Sequence, residues 1–596
     1  MVWVVIPMVL FLVLRLGGNF GASERPSEPA LAPQPPIPTL YFRSPLGIPL
    51  LLAGNFAEMR TGHFHSGIDI KTNNRPGYRV YAAADGWVSR IKVSPTGYGQ
   101  ALYVDHPNGY TTVYAHLSRF KEDLAAYVKK KQYAEHSFAL DMSVSKGMFP
   151  LKKGEVIAFS GNTGSSSGPH LHFEIRDTAS EEPMNPLLFG IPVTDHERPR
   201  IYRVKVYAAN RESGATIVHS DGSRPIRATF DAPVVIGVVK GKSGYRLKNV
   251  KAIRARGEIG FGIQASDFHD GSKSRLGAYR IALLADADTL YRSQMRRFNF
   301  SQTRFINAHV DYAERLRNHR WIQRSFLLPG NRLPLYKTAH SGWLSVRPGG
   351  SHAMRYRIDD AAGNHSTLDF DVVGDAEHIA ATNGHRVPDA FIPRTRETTF
   401  ERDGLRIIFP AYALYEDLEL HVSIAAGDAN TFSPRYRIQD PFTPVQKRFR
   451  LSLDARGVPP RLRKRALIAY RDEDGDVSSV GGVYNAGRIT ANPRAFGTYY
   501  IAADTVAPVV RPVNIRDGKD MSRLNSIKIN MRDALAGIDS YAGFVDDQWV
   551  LFTYDSKRNR LEYVFDGHVS KGRHRLSVVV TDQVGNVGRY EAHFSR

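Results

Sequence analysis

Gly161-Asn-Thr-Gly-Ser-Ser-Ser-Gly-Pro169 runs straight into His170-Leu-His-Phe-Glu-Ile-Arg176, and this stretch decides the fold around it. A Gly/Ser-rich turn leads into strict alternation, the period-two signature of a strand. His170, His172 and Glu174 fall on one face, and Leu171, Phe173 and Ile175 on the other. The apolar face is expected in a core and the imidazole face along a cleft.

Two further motifs lie upstream. In His65-Ser-Gly-Ile-Asp69 the end residues are four apart, so on an extended segment they point the same way and can reach one ion together. In Tyr114-Ala-His116-Leu117 a histidine sits at the end of another alternating run. A catalytic zinc takes three protein ligands and keeps one position open for water. His65, Asp69 and one of His170 and His172 supply three, leaving two imidazoles for proton transfer and oxyanion stabilisation.

Around these motifs, short apolar runs alternate with turn signals from Leu40 to about Pro199. Arg79–Ala83, Trp87–Val93, Ala101–Val104, Thr111–Ala115 and Glu155–Phe159 read as strands. Phe120–Lys131 is rich in helix formers and reads as a short helix in an insertion covering about 120–147. Beyond residue 200 a pattern repeats. Gly350-x-His352 followed by Asp360-x-x-Gly363-Asn364 recurs as Gly572-x-His574 followed by Asp582-x-x-Gly585-Asn586. Upstream, Asp267-x-x-x-Gly271 is echoed by Asp533-x-x-x-Gly537. Two copies of an Ig-like β-sandwich, at 199–378 and 506–596, explain this, the first enlarged by an insertion at about 293–340. Asp-x-x-Gly-Asn reads as a tight turn. Calcium binding by these Asp residues is the functional alternative, but their ligand count is too low. Residues 395–505 read as a third β-rich domain.

Composition narrows the setting. With no cysteine among 596 residues, disulfides, thiolate metal sites and cysteine nucleophiles are excluded. The formal charge of +21 favours anionic partners, but the basic runs Lys129–Lys131 and Arg461–Arg465 lack a nucleic-acid-binding signature. Nucleic acid is not expected as a ligand. Val2–Leu14 is apolar and too short for a comfortable span, so 1–22 reads as a signal peptide, with a retained membrane anchor as the alternative. A Pro-rich spacer follows at 23–38. Both readings place the rest of the chain in the cell envelope, periplasmic or extracellular.

The stretches HSGIDI, AADGWV (83–88), YAHL and GNTGSSSGPHLHFEIR resemble the lysostaphin/LytM-type zinc metallopeptidases of family M23. The resemblance covers about residues 45–190, within a peptidase domain placed at 39–198. It implies a small antiparallel β-sheet with a groove across it, in a mostly-β chain. It also implies one zinc held by His65, Asp69 and His172, with His116 and His170 catalytic, and peptidoglycan peptides as substrate. His63 can geometrically replace His65, but the family spacing to Asp69 selects His65. The segment between His116 and Gly161 is longer than in minimal members and is expected to wall or gate the groove. The β-modules behind the peptidase resemble large envelope peptidases of Bacteroidota-type bacteria and would position the enzyme on envelope proteins or glycans. A catalytically silent LytM-type regulator, or a wall-binding adhesion protein, is the alternative function.

Overall fold

His170–Asp177 is an interior strand of the sheet that carries the motifs, paired on both sides. The computed structural model describes residues 37–376 and 387–596. The signal or anchor segment at 1–22 and nearly all of the spacer at 23–38 lie outside them.

The N-terminal region contains β1 (Leu52–Gly54), β2 (Met59–Arg60), β3 (His63–Phe64), β4 (Ile68–Lys71), β5 (Arg79–Tyr81), β6 (Gly86–Val93), β7 (Gln100–Asp105) and β8 (Tyr110–Leu117). Next come β9 (Arg119–Phe120), α1 (Glu122–Ala134), β10 (Leu140–Ser143), β11 (Pro150–Leu151), β12 (Val156–Phe159), β13 (His170–Asp177) and β14 (Pro183–Met184). The main sheet is antiparallel in the order β1-β4-β13-β8-β7-β6-β10, and β5-β12-β9 forms a small second sheet. Every run read as a strand is one, with ends shifted by a residue or two. Alternation places Leu171, Phe173 and Ile175 fully in the core beside Val88, Ile91 and Tyr114. Tyr114 keeps its hydroxyl satisfied there by accepting a hydrogen bond from the Ala83 amide at 2.8 Å. Helix α1 begins and ends slightly later than the composition suggested, with Glu122 and Asp123 in its first turn, where the helix dipole favours acids.

The β-rich remainder packs onto this region. Residues 200–374 form a 13-stranded sheet built on the long strand Val250–Ser266, which pairs with Arg200–Ala208 and Gly214–His219. The insertion at 293–340 supplies the short helices Ile306–His309 and Tyr312–Asn318. Its Phe298, Ile306 and Val310 bury against Phe56 and Phe64 of the N-terminal region. Residues 390–503 build two five-stranded sheets around a core that includes Ile407, Leu451, Tyr499 and Phe496. The last region packs a four-stranded sheet on a five-stranded one around Ile529, Leu561, Tyr563 and Val578.

The repeated Asp-x-x-Gly-Asn segments are matching turns. Asp360 Oδ1 accepts from the amides of Gly363 and Asn364, and Asp582 Oδ1 accepts from those of Val584 and Asn586. Gly363 and Gly585 both have left-handed backbone, at φ +101° and +83°.

The terminal region reaches back to the N-terminal one. Lys557 Nζ donates to the carbonyls of Asn162 and Ser166 in the Gly/Ser turn, and Ser556 Oγ donates to the Pro95 carbonyl at 2.7 Å. On α1, Tyr133 stacks on His568 at 3.8 Å and Lys129 pairs with Asp566 at 3.0 Å. The expected wall at 120–147 thus contributes a docking face for the terminal region. It also contributes Phe138 to a cavity of ≈ 470 Å³ lined by Pro95, Asn162, Gly164, Pro169, Tyr554 and Lys557.

Candidate metal centre and active site

Asp69 on β4 and His172 on β13 are direct cross-strand partners, so their side chains share a face. Asp69 Oδ1 lies 2.9 Å from His172 Nδ1 and 3.1 Å from His65 Nε2, and the two nitrogens are 3.0 Å apart. His65 does not sit on a continuous strand with Asp69, as its spacing suggested. β4 starts at Ile68, and Ser66-Gly67 bends the chain inward before it. Gly67 is needed for that approach, because a Cβ there would lie 2.2 Å from the Phe173 carbonyl oxygen.

His116 arrives by a different device. Ala115 lies opposite His172, so strict alternation would send His116 to the core side with Tyr114. A register shift between β7 and β8, together with φ +59° at His116, turns the ring back to the site. Its ring centroid lies 4.8 Å from that of His170 and 5.8 Å from that of His172. His170 Nε2 is buried without a hydrogen-bond partner, 3.3 Å from Asp69 Oδ1. All five side chains singled out in the sequence therefore meet. His63 does not join them, being exposed with Nδ1 against the Thr61 carbonyl.

All four rings follow one rule. His65 Nδ1 donates to the Asn55 carbonyl (2.8 Å), His116 Nδ1 to that of Thr163 (2.9 Å) and His170 Nδ1 to that of Gly168 (2.8 Å), while His172 Nε2 donates to Glu174 Oε1 (2.8 Å). Each outward bond fixes the tautomer and leaves the other nitrogen with a lone pair facing inward.

Electrostatics agree. Burial alone would raise Asp69, yet His65, His170 and His172 together hold its carboxyl well below the usual range. His172 is the exception to that rule: burial disfavours its charge, but Asp69 and Glu174 hold it at about 9, so with no cation present its Nδ1 keeps a proton toward Asp69, which a bound cation would displace. Burial, then His172 and His170, press His116 down to about 3, so it is neutral at ordinary pH. Glu174 is fully buried. Burial opposes its charge, yet Arg176 and His172 keep it ionised, and Ser66 and Tyr98 also donate to it. The face read as lining a cleft is therefore largely covered, with only His170 partly exposed among its three polar residues.

Sequence reading missed a second ring of groups. Arg60 Nη2 donates to Asp69 Oδ2 at 2.6 Å. Glu58, raised by burial to about 7, lies beside Arg60 and has a buried oxygen without a partner. Nothing in the spacing of Glu58 or Arg60 marks them. Glu174 and Arg176 were visible as neighbours on the His170/His172 strand.

Residues 63–137 and 136–186 match the profile of peptidase family M23. The N-terminal region is an M23 peptidase domain. Over 137 residues, 23% of the chain, it is 34% identical to the DD-carboxypeptidase/endopeptidase Mpg of Neisseria meningitidis, covering 25% of that protein. The peptidoglycan DD-endopeptidase ShyA of Vibrio cholerae is 32% identical over 117 residues, 20% of this chain and 21% of that one. A solved zinc-containing peptidase from Vibrio cholerae aligns over 26% of this chain and 40% of its own at 27% identity, with a TM-score of 0.19. The chain thus matches about a quarter of the length of these curated relatives. Residues 389–504, the β-rich region left unnamed from sequence, match a Zu5-like domain.

The M23 domain's donor set fits zinc on its own geometry. A tetrahedral ion with bonds of about 2.0–2.1 Å separates its ligands by about 3.3 Å. The atoms of His65, Asp69 and His172 already stand 2.9–3.1 Å apart, with their lone pairs converging.

Proposed function

We propose that the chain is a zinc-dependent endopeptidase of the cell envelope that hydrolyses cross-links or stem peptides of peptidoglycan. The observation that supports it most is the gathering of His65, His170 and His172 around Asp69 Oδ1, with His116 beside His170 and each ring oriented by an outward N–H bond. His65 Nε2, Asp69 Oδ1 and His172 Nδ1 would hold the metal. When bound, zinc supplies a Lewis acid that polarises a carbonyl and acidifies water.

The remaining work falls to side chains. His116 and His170 stand together with their Nδ1 protons tied to carbonyls, so each presents Nε2 as a proton acceptor. One takes the proton of the attacking water on Nε2 and then delivers that proton to the leaving amine; the other would bond the developing oxyanion in its protonated form, through Nε2–H. Glu174 and Arg176 hold the His172 ring in orientation. The substrate class rests on the relatives named for peptidoglycan endopeptidase activity, and the basic surface suits an anionic envelope.

The test is to incubate purified protein with peptidoglycan, with and without chelator, and measure new free amines. His172→Ala should lose metal and activity together. His116→Ala should keep the metal and lose turnover by about 10²-fold or more. Digestion that survives both substitutions would sink the mechanism. Wall binding without amine release would favour the adhesion reading.

A further inference from the structure

Three groups of metal-competent side chains occur among the described residues, and two of them lie at matching places in the repeated modules. Asp195, Asp267 and Asp360 have carboxylate oxygens all within 4.8 Å of one another, and so do Asp504, Asp533 and Asp582. The third acid of each set comes from the chain entering the module, in Asp195-x-x-x-Pro199 and Asp504-x-x-x-Pro508. Counting only the two motif acids per copy, the sequence reading found too few oxygens.

The copies differ in how the acids are satisfied. In the second, backbone amides reach all three: Val506 and Ala536 donate to Asp504, Leu535 and Gly537 to Asp533, and Val584 and Asn586 to Asp582. In the first, Asp195 accepts from the Glu197 amide and Asp360 from those of Gly363 and Asn364. Asp267 Oδ1 has no partner, although the residue is only 4% exposed. Asp533 also has a buried unpartnered oxygen, but the residue as a whole is only partly buried and its other oxygen takes two amides. The Phe268 amide acts on Asp267 as a donor, but burying a carboxylate with its other oxygen unpaired is costly unless a charge compensates it. The charged groups acting on Asp267 are acids, Asp360 and Asp195, and Asp195 in turn feels Asp270 and Glu197. Burial and these acids push Asp267 up to about 8.

We propose that Asp195, Asp267 and Asp360 form a calcium site at the junction of the M23 domain and the first β-module. An all-oxygen, carboxylate-rich set selects a hard cation. Calcium accepts about six to eight oxygens in flexible geometry, so three carboxylates from separate segments, completed by carbonyls and water, suit it better than the near-ideal octahedron magnesium demands. The ion would tie the entering connector to the ends of strands Val250–Ser266 and Ser351–Asp359. The loop after Asp267 grips the M23 domain. His269 Nε2 accepts from the Leu52 amide at 2.8 Å, and Gly277 exchanges two hydrogen bonds with Asn55, the residue that anchors His65.

The test uses the full chain with zinc saturating, so that the histidine-containing site is filled, and titrates calcium chloride by calorimetry. One binding event is expected in the wild type and should be lost in Asp267→Asn. Saturating calcium should raise the first unfolding midpoint of the wild type by about 5 °C, and not that of the variant. Without calcium, Asp267→Asn should melt at or above the wild type, since the substitution removes a group that must either take up a proton or bury its charge uncompensated. Asp195→Ala serves as a second variant, because Asp195 lies in a connector and not in a strand. No calcium heat in the wild type, or binding that persists in both variants, overturns the site.

Discussion

His172 is gripped from two sides, by Asp69 at Nδ1 and by Glu174 at Nε2, and the second grip orients the first. Glu174→Gln keeps an acceptor for the ring but leaves Arg176 without its carboxylate. Zinc affinity should fall by about 10–100-fold, read as metal content at limiting zinc. Asp267 gives a prediction of a different kind. Its folded pKa of about 8 lies above its unfolded value, so between about pH 4 and 8 the folded state binds more protons than the unfolded one. Without calcium, this group's contribution to stability should decline as pH rises through that window, and Asp267→Asn should flatten the profile of unfolding midpoint against pH. At this scale the sequence was legible where residue type carries the chemistry: five side chains in three spaced motifs. It was not legible where the partner is a backbone carbonyl, as at Asn55, Thr163 and Gly168, because any residue supplies one. Arg60 and Glu58 escaped because only the folded path of the chain brings them to Asp69.

Among the elements, alternation gave the strands of the M23 domain correctly but misdescribed two approaches to the site. His65 reaches Asp69 through a bend at Ser66-Gly67, and His116 turns inward through a bulge and a left-handed residue. Period-two reasoning assumes an unbroken pleat, and both departures occur where the pleat is interrupted. The bend makes a sharp prediction. Gly67→Ala would drive a methyl group against the Phe173 carbonyl, so β4 must shift from β13. A loss of about 2–4 kcal/mol is expected in chemical denaturation, with weaker zinc retention. The insertion at 293–340 was legible as extra length between repeat markers. Its docking partner, the aromatic cluster of Phe56, Phe64 and Phe298, was not, because periodicity marks a buried face without saying what covers it.

In the whole molecule, the first and last regions meet at the active-site turn. No helix among the described residues is long and apolar enough to cross a membrane. The Gly/Ser turn carries the Thr163 and Gly168 carbonyls that orient His116 and His170, and Lys557 fastens it from outside. Lys557→Ala should therefore lower turnover by about tenfold or less through loosened imidazole placement, with zinc content unchanged. Steady-state kinetics on a soluble muropeptide, beside metal analysis, checks it. An unchanged rate would show that the turn holds its shape unaided. The clasp also has a consequence in time. Lys557 follows Asn162 by 395 residues. At ribosomal speeds of about 5–20 residues per second, roughly 20–80 s separate the synthesis of the candidate site from the arrival of its fastener. A product cut short in that interval would own every imidazole and the carboxylate, yet lack the brace that steadies them.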